Sequence, residues 1–101
     1  MKKLLLLLGC LFFGLVLQAK TVTLYHTGDT HGFFYPQNGT GGAAALAAVL
    51  AREKAPYLLL DSGDFAEGTV ETQRSHGLKA VQLMNFLHYD AATVGNHEFA
   101  F

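Results

Sequence analysis

The sequence is poor in cysteine, proline and charge. Its single cysteine is Cys10 and its two prolines are Pro36 and Pro56. One thiol makes no intrachain disulfide and no thiolate cluster for iron–sulfur or structural zinc, so any metal site here must use oxygen and nitrogen donors. Internal repeats, blocks of like charge and a Pro/Ser-rich linker are absent, which argues against solenoids and disordered arms. Charged residues make up 15% of the 101, and no basic stripe marks a nucleic-acid polymer as partner.

Long hydrophobic runs are limited to one. Leu4 to Leu17 is almost wholly apolar, follows the basic start Met1-Lys2-Lys3, and is followed by Gln18-Ala19 and then Lys20. That is the layout of a secretory signal peptide, residues 1–19, cleaved before Lys20. The run is shorter than the ~20 residues of a membrane-spanning helix, so no stable membrane anchor is expected. Leu7-Leu8-Gly9-Cys10 roughly fits a lipid-attachment box. Cleavage there would leave Leu11 to Leu17 exposed on the mature end, which counts against it. The expectation is export to a periplasmic or extracellular space. Residues 20–101 then carry five Lys and Arg against eight Asp and Glu, a balance of −3, with no cysteine left.

Three strands and two helices are legible in the remainder. Thr21 to Thr27 alternates like a strand, with Val22, Leu24 and His26 on one face and Thr21, Thr23 and Tyr25 on the other. His26 is expected to be partly buried. Gly41-Gly42 opens an Ala- and Leu-rich helix over Ala43 to Lys54, ended by Pro56. Tyr57 to Leu60 is a short apolar strand, of the kind found in parallel sheets covered on both faces. A second helix is expected from Ser75 to Leu87, with Ala80, Leu83, Met84 and Leu87 in one stripe, and a third strand from Ala91 to Val94. Strand–helix–strand–helix–strand predicts an α/β fold with parallel strands and right-handed crossovers.

Each strand ends in a polar, glycine-bounded turn: Gly28-Asp29-Thr30-His31-Gly32, Asp61-Ser62-Gly63-Asp64 and Gly95-Asn96-His97-Glu98. Parallel strands put all three endings on one sheet edge, where open α/β sheets bind ligands. Carboxylates from Asp29 and Asp64, the His31 imidazole and the Asn96 amide oxygen form a mixed O/N donor set suited to Mn²⁺, Zn²⁺ or Fe. A pair of such cations activates water and neutralises an anionic group under attack. Taken singly, each turn is ordinary; it is the repetition at three strand ends that speaks for chemistry. Asp61 reads as a turn residue bonding its own backbone, Glu67 and Glu71 as solvated loop residues, and His76 and His88 as solvated or capping. Phe33, Phe34 and Tyr35 read equally as cleft lining or as packing beneath the loops.

The ordered trio "YHTGDTHGFFYP", "LLLDSGDFAEGT" and "AATVGNHEFAF" resembles the calcineurin-like metallophosphoesterase superfamily, in its secreted 5′-nucleotidase branch. The resemblance spans residues 21–101 and implies the N-terminal half of a metallophosphoesterase α/β sandwich. It implies two divalent cations, with Asp29 and His31 on one, Asp64 bridging and Asn96 on the second. His97 would be the catalytic residue facing the scissile group, as proton donor or transition-state stabiliser, Glu98 supporting structure, and the substrate a small phosphate ester such as a nucleotide. The family usually continues Asn-His-Glu-Phe-Asp, whereas this chain has Ala100; some other acceptor, a backbone carbonyl for instance, is expected to fix His97. The family's downstream histidines and substrate domain are not in this chain, which reads as the N-terminal part of a longer protein. Two alternatives are a thiosulfohydrolase of the same superfamily and a non-catalytic metal-binding module.

Overall fold

The computed structural model describes residues 21–101; the expected signal peptide, residues 1–19, lies outside them. Strand β1 (Thr23–Thr27) is followed by helix α1 (Ala43–Leu50), strand β2 (Tyr57–Asp61), helices α2 (Val70–Arg74) and α3 (Leu78–Phe86), and the two-residue strand β3 (Ala91–Ala92). A 3₁₀ turn, His97–Phe99, follows. The sheet is parallel throughout, in the order β1-β2-β3, as expected of an α/β fold. Its register aligns Thr27 with Asp61 and Asp61 with Ala92, so the three strands stop side by side. Among the described residues, no helix is long and apolar enough to cross a membrane.

Leu59 is fully buried at the centre of the core, with Leu50 below α1 and Leu87 below α3. Burying a leucine of this kind contributes roughly 1.5–3 kcal/mol. Leu46, Leu83, Tyr25, Tyr57 and Tyr89 pack around that trio, which puts both long helices on the same face of the sheet. The inward face of β1 is therefore Thr23, Tyr25 and Thr27. Tyr25 packs edge-on against Tyr57, and its hydroxyl donates to Glu53 at 2.8 Å. His26 points the other way and is exposed, contrary to the sequence expectation. That outer face also carries Leu24 and Leu58, 63% and 41% exposed, so the described residues cover one face of the sheet rather than two.

Two helix boundaries differ from the periodicity. Helix α1 stops at Leu50 instead of Lys54, because the next bonds, Arg52 N–H to Val49 and Glu53 N–H to Leu50, are tighter i→i−3 turns. The Glu53 carboxylate then accepts the N–H groups of Lys54 and Ala55, and Pro56 biases Ala55 away from helix. The second expected helix, Ser75 to Leu87, begins only at Leu78 as α3, and the short α2 before it has no counterpart in the sequence expectation. Gly77 adopts φ 75° ahead of α3, and a Cβ there would lie 2.9 Å from Ala66. Helix α2 starts at Thr69, whose side chain exchanges bonds with Thr72; five residues are too few to show a helical period.

Candidate metal centre

The parallel register brings three loops together beyond the sheet, and backbone bonds tie them. Asp29 N–H donates to Gly63 at 3.0 Å and His31 N–H to Asp64 at 2.9 Å. Asp29, His31 and Asp64 all have positive φ, at 51°, 45° and 59°. Left-handed backbone in a non-glycine residue costs on the order of 1–3 kcal/mol and concentrates at functional sites. The third loop must come close. A Cβ on Gly95 would stand 2.1 Å from Asp64 Oδ1, so only glycine fits beside that carboxylate.

Glu98 locks this packing. Its Oε1 accepts the N–H groups of Phe65 (2.7 Å) and Ala66 (2.9 Å), and its Oε2 those of Asp64 (2.8 Å) and Gly95 (2.6 Å). Partial burial pushes the Glu98 carboxyl upward, yet the four backbone donors outweigh it and hold the group below its ordinary value. A supporting role for Glu98 is what the sequence suggested. Asp61 is structural as well: it is buried, Oδ1 accepts from Gly63 N–H at 2.7 Å, and Oδ2 accepts from the Thr27 hydroxyl.

His31, Asp64 and His97 each offer a donor atom within 4.8 Å of the other two, in a half-buried group. The two imidazoles meet edge to face with ring centres 4.6 Å apart. Asp64 Oδ1 also accepts the His97 N–H at 2.9 Å. Asp29 stands beside this group, 77% exposed, with Oδ1 4.0 Å from His31 Nε2. Asn96 is exposed and leads into the 3₁₀ turn that carries His97. The Asp64 carboxylate and the His31 imidazole, with Asp29 beside them, form a mixed O/N set that suits a borderline divalent cation, and the His97 ring stands against that set, so the donors present fit the metal that the sequence pattern implies.

Glu67 is the residue that sequence reasoning placed wrongly. It is not a solvated loop residue: its Oε2 lies 2.7 Å from Nδ1 of His97. Its backbone carbonyl lies 3.2 Å from Nδ1 of His31. The acceptor at His97 is thus a carboxylate rather than the backbone carbonyl offered as an example. That hydrogen bond raises the His97 pKa; partial burial opposes it, and the charges of Asp64, Glu67 and Glu98 add to it. No periodicity marks Glu67, which reaches the site only because its loop folds back over His31. Glu71, His76 and His88 are exposed, as expected. Phe33 and Phe34 line a cavity of about 210 Å³ with Leu83, Met84 and Leu87, beneath the first loop.

The calcineurin-like phosphoesterase family profile matches residues 22–101. A snake venom 5′-nucleotidase from Gloydius brevicauda is 35% identical over 95% of this chain and 19% of its own length. The 5′-nucleotidase of Rattus norvegicus is 35% identical over 77% of this chain and 16% of its own. Among solved structures, a 5′-nucleotidase precursor from Thermus thermophilus superposes with a TM-score of 0.69 at 36% identity, over 79% of this chain and 18% of that one. The chain thus spans less than a fifth of each relative's length. With the parallel α/β sheet and the donor-bearing loops at its edge, these similarities establish that the chain belongs to the calcineurin-like phosphoesterase family.

Proposed function

We propose that this chain forms the N-terminal part of an exported, metal-dependent hydrolase of phosphate esters, with nucleotides as its substrates. The observation that carries the reading is the meeting of His31, Asp64 and His97 donors within 4.8 Å, on loops from three parallel strand ends. Nucleotides are favoured because the similar snake venom and rat proteins are 5′-nucleotidases. Export is favoured by the Met1–Ala19 pattern and by a relative found in venom.

In this reading Asp29, His31, Asp64 and Asn96 would hold two divalent cations, with Asp29 and His31 serving one, Asn96 the other and Asp64 shared. Bound there, the cations would supply charge neutralisation for the phosphoryl group and acidify water. His97 acts on the leaving group. As the water oxygen bonds to phosphorus and releases a proton to solvent, the ester P–O bond breaks and its electron pair passes to the leaving oxygen. His97 donates a proton to that oxygen and is reprotonated from solvent.

The test is Asp64→Ala in the full-length protein, assayed for metal content and for release of phosphate from AMP. Loss of both is expected. Unchanged metal content and rate would overturn the bridging role.

A further inference from the structure

Glu67 presents two acceptors to two imidazoles. Its carboxylate Oε2 is 2.7 Å from Nδ1 of His97, and its main-chain oxygen is 3.2 Å from Nδ1 of His31. Neither oxygen of an ionised carboxylate nor a carbonyl oxygen can donate, so in both contacts the proton sits on the ring nitrogen. Nδ1 of each ring is thereby committed as a donor, and Nε2 is the nitrogen left free of that bond. For His31 that nitrogen faces Asp29 Oδ1 at 4.0 Å. For His97 it is the nitrogen left to meet a substrate oxygen, which it protonates as the imidazolium, with a proton on each ring nitrogen.

The loop that carries Glu67 is held at both ends. Upstream, Glu98 accepts the N–H groups of Asp64, Phe65 and Ala66. Downstream, Thr69 caps α2 through its reciprocal bonds with Thr72. Between them Gly68 adopts φ 135°, and a Cβ there would lie 2.4 Å from the His31 carbonyl oxygen. At Gly68 the loop is packed directly onto His31, where no side chain would fit. Position 100 stands three residues on from His97, one 3₁₀ turn away, where side chains eclipse. It holds alanine and offers His97 no acceptor.

We infer that Glu67 is the positioning residue of this site, its carboxylate orienting His97 and its main-chain carbonyl orienting His31. This rests on the proposed phosphoesterase reading for its catalytic consequence, though not for the geometry. The two halves separate cleanly, because a side-chain substitution removes the carboxylate and keeps the carbonyl.

The experiment compares full-length wild type, Glu67→Gln, Glu67→Ala and Glu67→Ala/Ala100→Asp, loaded with zinc. Ring-nitrogen NMR reads the two imidazoles directly. The hydrogen-bonded Nδ1–H of His97 should be lost in Glu67→Ala and kept but weakened in Glu67→Gln, whose amide oxygen still accepts, while the His31 signals and the zinc content stay as in wild type. Kinetics then compare AMP, whose alkoxide leaving group needs a proton, with p-nitrophenyl phosphate, whose phenolate does not. Glu67→Ala should lower kcat on AMP by about 10–100-fold, the usual effect of losing a partner that orients a histidine. The fall should be at least about tenfold greater on AMP than on p-nitrophenyl phosphate, and Ala100→Asp should restore much of it. An unchanged His97 ring signal in Glu67→Ala, or equal falls on the two esters without rescue, would overturn the inference. Wild-type protein that hydrolyses neither ester overturns the phosphoesterase reading alone, since the ring signals still decide the role of Glu67.

Discussion

The side chain of Glu98 accepts the backbone N–H of Asp64 at 2.8 Å, across 34 residues of sequence. This bond clamps the third loop onto the second and sets the reach of the Asp64 carboxylate. It also makes Glu98 a carboxylate for a geometric reason, since each of its oxygens serves two donors.

Glu98→Gln is therefore expected to be as damaging as it is conservative in shape. Whichever way the amide turns, its NH₂ faces two backbone N–H groups. The loss should be about 2 kcal/mol or more, in the range for leaving buried donors unpaired. Denaturant unfolding of the variant checks the magnitude. Hydrogen exchange at the amides of Asp64, Phe65, Ala66 and Gly95 checks the location, and unchanged protection there would contradict the clamp.

His97→Ala should lower the rate on AMP by about 10²–10⁴-fold, as expected for removal of a positioned acid. Ala100→Asp alone should change it by less than about tenfold, because Glu67 already occupies the Nδ1 side of the ring. Steady-state kinetics at saturating metal decide both. A large gain from Ala100→Asp would mean that Glu67 leaves His97 poorly oriented.

Away from the loops, the Tyr25–Glu53 pair should give stability a pH signature. Glu53 is held below its ordinary value of 4.5, first by the Ala55 N–H, then by the Tyr25 hydroxyl, with partial burial opposing and the Lys54 N–H adding to it. A carboxylate depressed in the folded state contributes stability above its unfolded pKa and loses it as pH falls through the folded one. Tyr25 is raised above 10.0, chiefly by its bond to Glu53, so its share persists below pH 10 and fades as pH rises through the raised value. The gap in urea midpoint between wild type and Glu53→Gln should accordingly be present at pH 7 and shrink at pH 3. A gap that is constant across that range would refute the assignment.

The face of the sheet that the described residues leave uncovered carries Leu24 and Leu58 at 63% and 41% exposure. Exposed apolar strands invite association. Residues 20–101 produced alone should self-associate and bind hydrophobic dye, and Leu24→Lys with Leu58→Glu should reduce both. Sedimentation measurements showing a monomer with a sharp, cooperative thermal transition would contradict this.

Local chemistry in the sequence was enough to determine the strand–helix alternation, the parallel sheet and the three donor-bearing turns. Apolar period, Ala/Leu content and glycine-bounded polar endings are short-range signals that survive without coordinates. They placed Asp29, His31, Asp64, Asn96 and His97 on one edge and Asp61 in a turn, while the supporting role of Glu98 came from the family resemblance of its motif. Tertiary structure alone decided what is not written in spacing. Which face of β1 turns inward depended on Tyr25 finding Tyr57 and Glu53, not on alternation, and so His26 faces out. The break before α3 depended on Gly77 packing against Ala66, eleven residues away. Glu67 reaches His97 across 30 residues, because Glu98 and the Thr69 cap pin the loop between them. Side-chain contacts at such separations follow from how three loops stack, and no periodicity in the chain encodes them.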